Sequence, residues 1–308
     1  MVNGKDVIFG CCSDYEYEQV RPWLASIKTC GFSGDVVMLV YRGSAALISK
    51  LEGAGVKVLC IARNKRGDAT FDYRRDRLAD FIYQGEQHIP GRWYWQWWPK
   101  HLNEAIHDVR MYHAGLILPP MFPGARYLVF SDVRDVIFQR DPIEFLESRL
   151  TPGVDYVVAE EPHVTSDERW AKRNTIRAYG ARLYERVATR PSICIGLVGG
   201  RFAAMTELLL ALYLQDHLRR LTDQASLNML LTFEPWRQRT LILPWTASFV
   251  VHAATLGADG KPRNKGGVDA AATIKDGLVR TPSGEPYYVV HQYDRHPEWA
   301  PQMLSRLA

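Results

Sequence analysis

Residues 126–142 read Arg-Tyr-Leu-Val-Phe-Ser-Asp-Val-Arg-Asp-Val-Ile-Phe-Gln-Arg-Asp-Pro, and this segment carries the strongest signal in the chain. The apolar run Tyr127–Phe130 predicts a buried strand, which leads into Asp132 and Asp135 before a second apolar run begins. Acidic side chains at the carboxyl end of a buried strand lie at the crevice of an α/β sheet, where ligands bind. Two carboxylates that bracket a turn suit a hard divalent cation such as Mg²⁺ or Mn²⁺. A solvated turn in which Arg134 pairs with the acids would give the same pattern, so the spacing leaves both interpretations open.

The first 62 residues predict a parallel sheet. Apolar, β-branched runs at Val7–Cys11, Val36–Tyr41 and Val56–Ala62 read as three strands. Between them, Glu16–Cys30 and Ala45–Leu51 carry apolar residues at helical spacing. Strands that alternate with helices in this way imply right-handed crossovers and a Rossmann-like opening. The G-x-G-x-x-G sequence that binds dinucleotides is absent after the first strand, which argues against an NAD(P) enzyme.

The composition is that of a globular α/β protein. Hydrophobic residues make up 47% and charged residues 23% of the 308 residues, which excludes a disordered or coiled-coil chain. Lys and Arg number 38 and Asp and Glu 34, so the net charge is +4. This mild and evenly spread charge fits an anionic ligand but is too weak to predict a nucleic-acid partner. No linker divides the chain, so one large domain is expected.

The sequence predicts a cytoplasmic protein. No apolar stretch reaches the ~18 residues that a membrane span needs, and the N-terminus has neither the apolar core nor the cleavage site of a signal peptide. The five cysteines are odd in number and include no C-x-x-C pair, which favours a reducing compartment. A position at the inner face of the membrane stays open, because the basic charge and the tryptophans permit peripheral membrane contact.

Four tryptophans fall within the six residues Trp93–Trp98. Aromatic side chains combine an apolar body with a polar tip, so such a cluster serves either as a packing wedge or as a platform for a sugar ring. A lip that meets a membrane-borne acceptor is a third interpretation, and the sequence does not decide among the three.

Two later segments present polar side chains where a ligand could meet them. His291 follows the apolar run Tyr287–Val290, and an imidazole combined with two carboxylates favours Mn²⁺ over Ca²⁺. A lone histidine is also commonly structural. Asp223 and Gln224 open a predicted helix, where they act either as capping residues or as a polar pair that faces a ligand.

The segment around Asp132 and Asp135 resembles the metal-binding strand of GT-A fold glycosyltransferases. The most similar pattern is that of family 8-like retaining enzymes of the glycogenin and lipooligosaccharide galactosyltransferase type. Those enzymes carry D-x-D between two apolar strands, whereas this chain has Asp132-Val-Arg-Asp135, with the first acid one place early and Val133 in its usual position. The resemblance implies a metal site formed by Asp132, Asp135 and His291.

Further segments resemble that family in the same order along the chain. Asp223-Gln224-Ala-Ser-Leu-Asn228 is similar to the D-Q-x-x-L-N segment, whose Asp and Gln face the donor sugar, which implies that Asp223 and Gln224 form the catalytic pair. The segment Ile195–Gly200 resembles a stretch that in the family contains Asn-x-Gly, but the Asn is absent here. The implied nucleotide-binding residues are Ser13, Asp14 and Tyr15 for the base, and Arg110 and Lys265 for the diphosphate.

The resemblance implies a mixed, mainly parallel central sheet flanked by helices, in one GT-A-like domain over 1–308. Residues 1–142 would form the nucleotide-binding half, and 143–308 the acceptor-side half with His291. The implied function is Mn²⁺- or Mg²⁺-dependent transfer of a sugar, with retention, from a nucleotide diphosphate sugar to a hydroxyl of a glycan or lipid-linked acceptor. Two alternatives stay open: another metal-dependent enzyme acting on a nucleotide or phosphate, and a non-catalytic module that binds sugar nucleotides.

Overall fold

A computed structural model of the chain describes residues 5–71, 105–216, 223–263 and 270–307. The tryptophan-rich segment Trp93–Trp98 and the predicted diphosphate ligand Lys265 lie outside these residues, so both assignments remain predictions.

The described residues form fifteen strands and eight α-helices. The strands are β1 Val7–Cys12, β2 Asp35–Val40, β3 Lys57–Cys60, β4 Ala62–Arg63, β5 Ala69–Thr70, β6 Tyr127–Ser131, β7 Val136–Phe138, β8 Tyr156–Val164, β9 Pro191–Ile193, β10 Leu197–Arg201, β11 Thr240–Leu243, β12 Val250–His252, β13 Thr273–Lys275, β14 Leu278–Arg280 and β15 Val289–His291. The helices are α1 Tyr17–Thr29, α2 Ala45–Gly53, α3 Ala105–Met121, α4 Pro142–Arg149, α5 Arg169–Tyr184, α6 Phe202–Asp216, α7 Asp223–Leu230 and α8 Ala300–Ser305. None of these helices is long and apolar enough to cross a membrane.

A central sheet with the strand order β11-β8-β10-β6-β1-β2-β3 forms the core of the fold. The pairs β6-β1, β1-β2, β2-β3 and β11-β8 are parallel, whereas β10 runs antiparallel to both of its neighbours. Along β1, Ile8 joins the core on one face, and Val7 and Phe9 join the core on the other, as the two-residue period of a strand requires. Side chains of α1, α2 and α4 pack on the first face and those of α3, α6 and α7 on the second. The mixed, mainly parallel sheet flanked by helices is therefore confirmed.

A second, smaller sheet with the order β12-β15-β7 positions the candidate site. Its strands are short, apolar and fully buried: Val-Val-His in β12, Val-Val-His in β15 and Val-Ile-Phe in β7. In this sheet His252 pairs in register with His291, and His291 pairs with Val136. Of the apolar run Tyr287–Val290 only the last two residues lie in β15, and the strand ends at His291.

Candidate functional site

The structure brings Asp132, Asp135 and His291 together at the carboxyl end of β6. His291 Nε2 lies 3.6 Å from Asp132 Oδ2 and 3.7 Å from Asp135 Oδ1. One ligand-type atom from each residue lies within 4.8 Å of the others. Two carboxylate oxygens and one imidazole nitrogen form a donor set that suits Mn²⁺ or Mg²⁺. The residues present therefore fit the ion that the sequence predicts.

Strand register explains how residues so distant in the chain meet. Asp135 immediately precedes β7, and the pairing of Val136 with His291 brings the imidazole to the turn. The backbone of the turn is fixed at both ends, because Asp132 N donates to Gly196 O at 2.8 Å and Tyr293 N donates to Asp135 O at 3.3 Å. Arg134, the alternative partner of the two acids, pairs instead with Asp294 at 3.8 Å. The turn therefore leaves both carboxylates directed at His291.

The three groups titrate differently because their neighbours differ. Burial would raise the pKa of Asp132, but Arg110 and His291 hold that pKa below its usual range. Burial, reinforced by the charge of Asp132, raises the pKa of Asp135. Burial would lower the pKa of His291, but Cys194 and the two carboxylates raise it well above its usual value. An ion that binds His291 Nε2 must displace its proton, so ion binding here releases a proton and strengthens as the pH rises.

Arg110 on α3 joins the predicted metal site to the predicted catalytic pair. Its guanidinium is 4% exposed, and it donates from Nη1 to Asp132 Oδ1 at 2.6 Å and from Nη2 to Asp223 Oδ2 at 2.7 Å. The same group lies 4.8 Å from the centre of the Phe130 ring. The family resemblance implies that Arg110 contacts the diphosphate of the donor, and that role stays a prediction. The geometry adds that Arg110 holds the carboxylates of Asp132 and Asp223 in place.

Asp223 and Gln224 begin α7, as the sequence predicts. Asp223 Oδ1 accepts a hydrogen bond from Gln224 N at 2.8 Å, while its other oxygen faces Arg110. Gln224 Nε2 donates to Glu161 Oε2 at 3.3 Å and to Ser192 Oγ at 3.1 Å. The catalytic assignment of this pair is not tested by these contacts, which show only that both side chains are held in fixed orientations.

The predicted base-binding residues form the loop that follows β1. Asp14 has a left-handed backbone with φ of 59° and pairs with Arg42 at 2.6 Å. The Ser13 hydroxyl donates to Asp14 Oδ2 at 3.0 Å. Burial raises the pKa of Tyr15, and the fields of Asp132 and Asp135 reach it. Because Gly10 of β1 pairs in parallel with Ser131 of β6, this loop lies at the same edge of the sheet as Asp132. Its role in binding a base remains a prediction.

The sequence analysis missed three buried side chains that contact this site. His252 Nδ1 lies 3.0 Å from His291 Nδ1, and Cys194 Sγ lies 3.5 Å from the same nitrogen. Glu161, on β8, is the carboxylate that accepts from Gln224. The sequence does contain a signal for His252, because Val250-Val251-His252 repeats the Val-Val-His pattern of Val289-Val290-His291. Glu161 comes shortly after the apolar residues Tyr156–Ala159 of β8, much as Asp132 comes shortly after the apolar residues Tyr127–Phe130 of β6.

His252 lies where it can accept a hydrogen bond from His291 and leave the other ring nitrogen of His291 for an ion, because the two Nδ1 atoms are 3.0 Å apart. Metal-bound histidines donate their other ring N–H to an acceptor, and the loss of that acceptor typically lowers metal affinity about 10–100-fold. Burial and the neighbouring His291 lower the pKa of His252 well below its usual value, so its neutral ring can accept from His291 Nδ1. We expect His252→Leu to lose about 10–100-fold in Mn²⁺ affinity. We expect His252→Asn, whose amide oxygen can replace Nδ1, to retain most of that affinity.

The measurement is a titration of free Mn²⁺ by electron paramagnetic resonance. Equal affinities of the leucine and asparagine variants would contradict the role assigned to His252.

Gly196 leaves the space in which the His291 ring lies. A Cβ at this position would fall 2.2 Å from His291 Cε1 and 2.5 Å from Nε2. Gly196→Ala is therefore expected to push the imidazole away from the two carboxylates and to weaken Mn²⁺ binding at least about tenfold. The matched control is Gly53→Ala, because a Cβ at Gly53 meets nothing within 4 Å. Calorimetric Mn²⁺ titration of both variants checks the prediction, and a Gly196→Ala protein that binds like the control would refute it.

The fold resembles that of glycosyltransferases of known structure. The chain aligns with the apo structure of the bifunctional glycosyltransferase WbbM over 99% of its length, with a TM-score of 0.57 and 13% identity, and it covers 50% of the WbbM chain. It also aligns with the apo form of mouse xyloside xylosyltransferase 1 over 80% of its length, with a TM-score of 0.47 and 14% identity, and it covers 87% of that chain. No protein-family model and no curated protein sequence matches the chain. The likeness to WbbM shows a shared fold, and this chain spans half of that protein.

Proposed function

We propose that the protein transfers a sugar from a nucleotide diphosphate sugar to an acceptor hydroxyl, with a divalent ion held by Asp132, Asp135 and His291. The observation that carries the proposal is the convergence of these three side chains at the ligand-binding edge of the sheet, with Arg110 joining them to Asp223. The fold shared with WbbM supports it. A bound ion would neutralise the charge that develops on the diphosphate as it leaves.

The chain's own residues would orient the donor around this point. The buried guanidinium of Arg110 binds the carboxylates of both Asp132 and Asp223, so neither carboxylate turns away when a substrate enters. Gln224 uses its amide nitrogen to contact Glu161 and Ser192, and its amide oxygen remains to face the sugar. The loop Ser13–Tyr15 would hold the nucleotide base beside the ion. Arg110 would act through the two carboxylates, and Lys265 would add positive charge at the diphosphate.

We propose that the transfer retains the anomeric configuration, as in the family 8-like enzymes that the sequence resembles. Gln224 is a poor nucleophile, and Asp223 already accepts hydrogen bonds from Arg110 and from Gln224 N. A same-face reaction suits this arrangement, in which the departing phosphate oxygen takes the proton of the acceptor hydroxyl. Asp223 and Gln224 would stabilise the positively charged sugar that forms between bond breaking and bond making. A stable glycosyl adduct on Asp223, detected by mass spectrometry, would instead establish double displacement.

The experiment that tests the function is a thermal-shift titration with UDP, GDP, CDP and dTDP, each with and without Mn²⁺. A ligand that binds the native state raises the unfolding midpoint by mass action. A rise for one nucleotide that depends on Mn²⁺ supports the proposal and identifies the base. No shift with any nucleotide at millimolar concentration would refute it and favour a different metal enzyme or a non-catalytic module.

A further inference from the structure

A second group of ligand-type side chains surrounds the other nitrogen of His291. It consists of Cys194, His252 and His291, which are 5%, 1% and 2% exposed. One ligand atom from each of these residues lies within 4.8 Å of the other two. His291 Nδ1 contacts His252 and Cys194, whereas His291 Nε2 lies near Asp132 and Asp135. This second group and the group of His291 with the two acids, the carboxylate site, therefore share one imidazole ring through its two different nitrogens.

We propose that Cys194, His252 and His291 form a second metal site, the inner site, which binds Zn²⁺ through Sγ and the two Nδ1 atoms. Thiolate and imidazole ligands select Zn²⁺, whereas Mn²⁺ and Mg²⁺ prefer carboxylate oxygens. The inner site offers sulfur and nitrogen donors and contains no carboxylate. It rests on this geometry and does not depend on the proposed sugar transfer.

The spacing of the donor atoms matches that around a tetrahedral zinc ion. His252 Nδ1 lies 3.0 Å and Cys194 Sγ lies 3.5 Å from His291 Nδ1. With Zn–N bonds of ~2.0–2.1 Å and a Zn–S bond of ~2.3 Å, tetrahedral angles place two nitrogens about 3.3 Å apart and a nitrogen and a sulfur about 3.5 Å apart. A zinc ion therefore requires only a slight widening of the histidine pair.

The strands fix the positions of the three ligands. His252 and His291 end β12 and β15, and they pair in register on these neighbouring parallel strands. Cys194 directly follows β9, and Gly196, two residues later, lacks the Cβ that would collide with the His291 ring. The donor atoms thus converge in the metal-free fold, and binding needs little movement of the backbone.

Hydrogen bonding alone does not satisfy both contacts of His291 Nδ1. A ring nitrogen carries either one proton or one lone pair, so it makes one full-strength hydrogen bond. If Nδ1 donates its proton to His252, it cannot also accept from the Cys194 thiol, and if it accepts from the thiol, it has no proton for His252. A metal ion binds all three donor atoms at once, and the thiol proton and the Nδ1 proton pass to solvent.

The shared ring makes the two sites mutually exclusive. A neutral imidazole offers one lone pair, so a Zn²⁺ ion at Nδ1 leaves the ring proton on Nε2, on the side of the two carboxylates. His291 is then lost as a ligand of the carboxylate site. We expect Zn²⁺ in the inner site to weaken Mn²⁺ binding at the carboxylate site at least about tenfold.

The test replaces Zn²⁺ by Co²⁺, whose spectrum reports its ligands. Metal-free protein titrated with Co²⁺ in the absence of oxygen should develop a thiolate-to-cobalt charge-transfer band, which oxygen and nitrogen ligands do not produce. Cys194→Ser should lose this band and bind Zn²⁺ at least about tenfold more weakly. Asp135→Asn should keep the band, because Asp135 belongs only to the carboxylate site. The matched control is Cys12→Ser, which removes a thiol that is only 2% exposed and belongs to neither site.

X-ray absorption at the zinc edge tests the inner site in the unmodified protein. One sulfur at ~2.3 Å beside nitrogens at ~2.0–2.1 Å supports the site, and a shell of oxygen and nitrogen alone overturns it. A cobalt band that survives in Cys194→Ser, or disappears in Cys12→Ser, also overturns it.

The exclusion of Mn²⁺ is tested by electron paramagnetic resonance of the Mn²⁺ that Zn²⁺ releases. Zn²⁺ that releases Mn²⁺ from Cys194→Ser as readily as from the wild type refutes the exclusion. A cobalt–thiolate band in a protein that binds no nucleotide supports the inner site and refutes the proposed sugar transfer, so the two proposals fail separately.

Discussion

Replacing Asp135 with asparagine is expected to abolish Mn²⁺ binding and sugar transfer without destabilising the metal-free protein. Burial and the charges of Asp132 and Asp294 raise the pKa of Asp135, so its ionised form is disfavoured in the folded, metal-free state. The asparagine removes that repulsion and also removes one of three candidate ligands. We expect Mn²⁺ affinity to fall at least about a hundredfold, because losing a direct ligand generally weakens metal binding more than losing a residue that only hydrogen-bonds to a ligand.

The sign of the pH dependence follows from the same shift. An acid whose pKa is higher in the folded than in the unfolded state makes the protein less stable as the pH rises from the unfolded-state pKa to the folded-state pKa. The free energy of unfolding of the metal-free wild type, measured in urea, should therefore contain a contribution that decreases as the pH rises above ~3.9, the carboxylate pKa of the unfolded chain. This contribution should be absent from Asp135→Asn. Asp35→Asn is the control, because Asp35 begins β2 at the opposite end of the sheet from the carboxylate cluster and pairs with Lys57. Unchanged Mn²⁺ affinity in Asp135→Asn would remove Asp135 from the metal site.

Arg110→Met is expected to lower the free energy of unfolding by about 3–5 kcal/mol, because it leaves the carboxylates of Asp132 and Asp223 without their shared cation. The side chains are 4%, 31% and 13% exposed for Arg110, Asp132 and Asp223, so water screens the stranded charges only in part. Methionine fills most of the volume of the arginine stem, which confines the effect to the lost charge. Equilibrium unfolding in urea at neutral pH measures it.

Two further variants separate charge from packing in this prediction. Arg21→Met removes an ion pair whose side chains are 54% and 69% exposed, and it should change stability by less than about 1 kcal/mol. Adding Asp132→Asn and Asp223→Asn to Arg110→Met should recover much of the loss, because no buried charge is then left unpaired. If Arg110→Met proved as mild as Arg21→Met, the central role of Arg110 in this cluster would be wrong.

Local patterns in the sequence were sufficient to predict the sheet and three of the clustered side chains. The two-residue period of β1 and the helical spacing of α1 each follow from local sequence, and parallel connections follow from their alternation. Asp132 and Asp135 were recognisable because acids at a strand end lie at the crevice of such a sheet. Their meeting with His291 was an inference from resemblance, and the register of β7 with β15 now gives its physical basis.

The partners of these side chains could not be predicted, since they depend on packing between elements. Arg110 was placed near the diphosphate by analogy, and only the packing of α3 on the sheet shows that two carboxylates surround it. His252 was overlooked although it ends the same Val-Val-His sequence as His291, because nothing local reveals that the two strands are neighbours.

The small sheet has a consequence for the order of events during biosynthesis. Its middle strand, β15, lies near the C-terminal end of the sequence, whereas its partner β7 lies near the middle, so the contact between them is among the most non-local in the described fold. The ribosome synthesises the edge strand Val136–Phe138 long before β15, the strand that pairs with it, and non-local pairing is slow. The nascent chain can thus form its large sheet while the proposed ion-binding site is still incomplete. Binding of Mn²⁺ by a nascent chain would then show that the small sheet has formed. Ribosome-bound chains of increasing length should begin to bind Mn²⁺ only when they are long enough for β15 to have emerged.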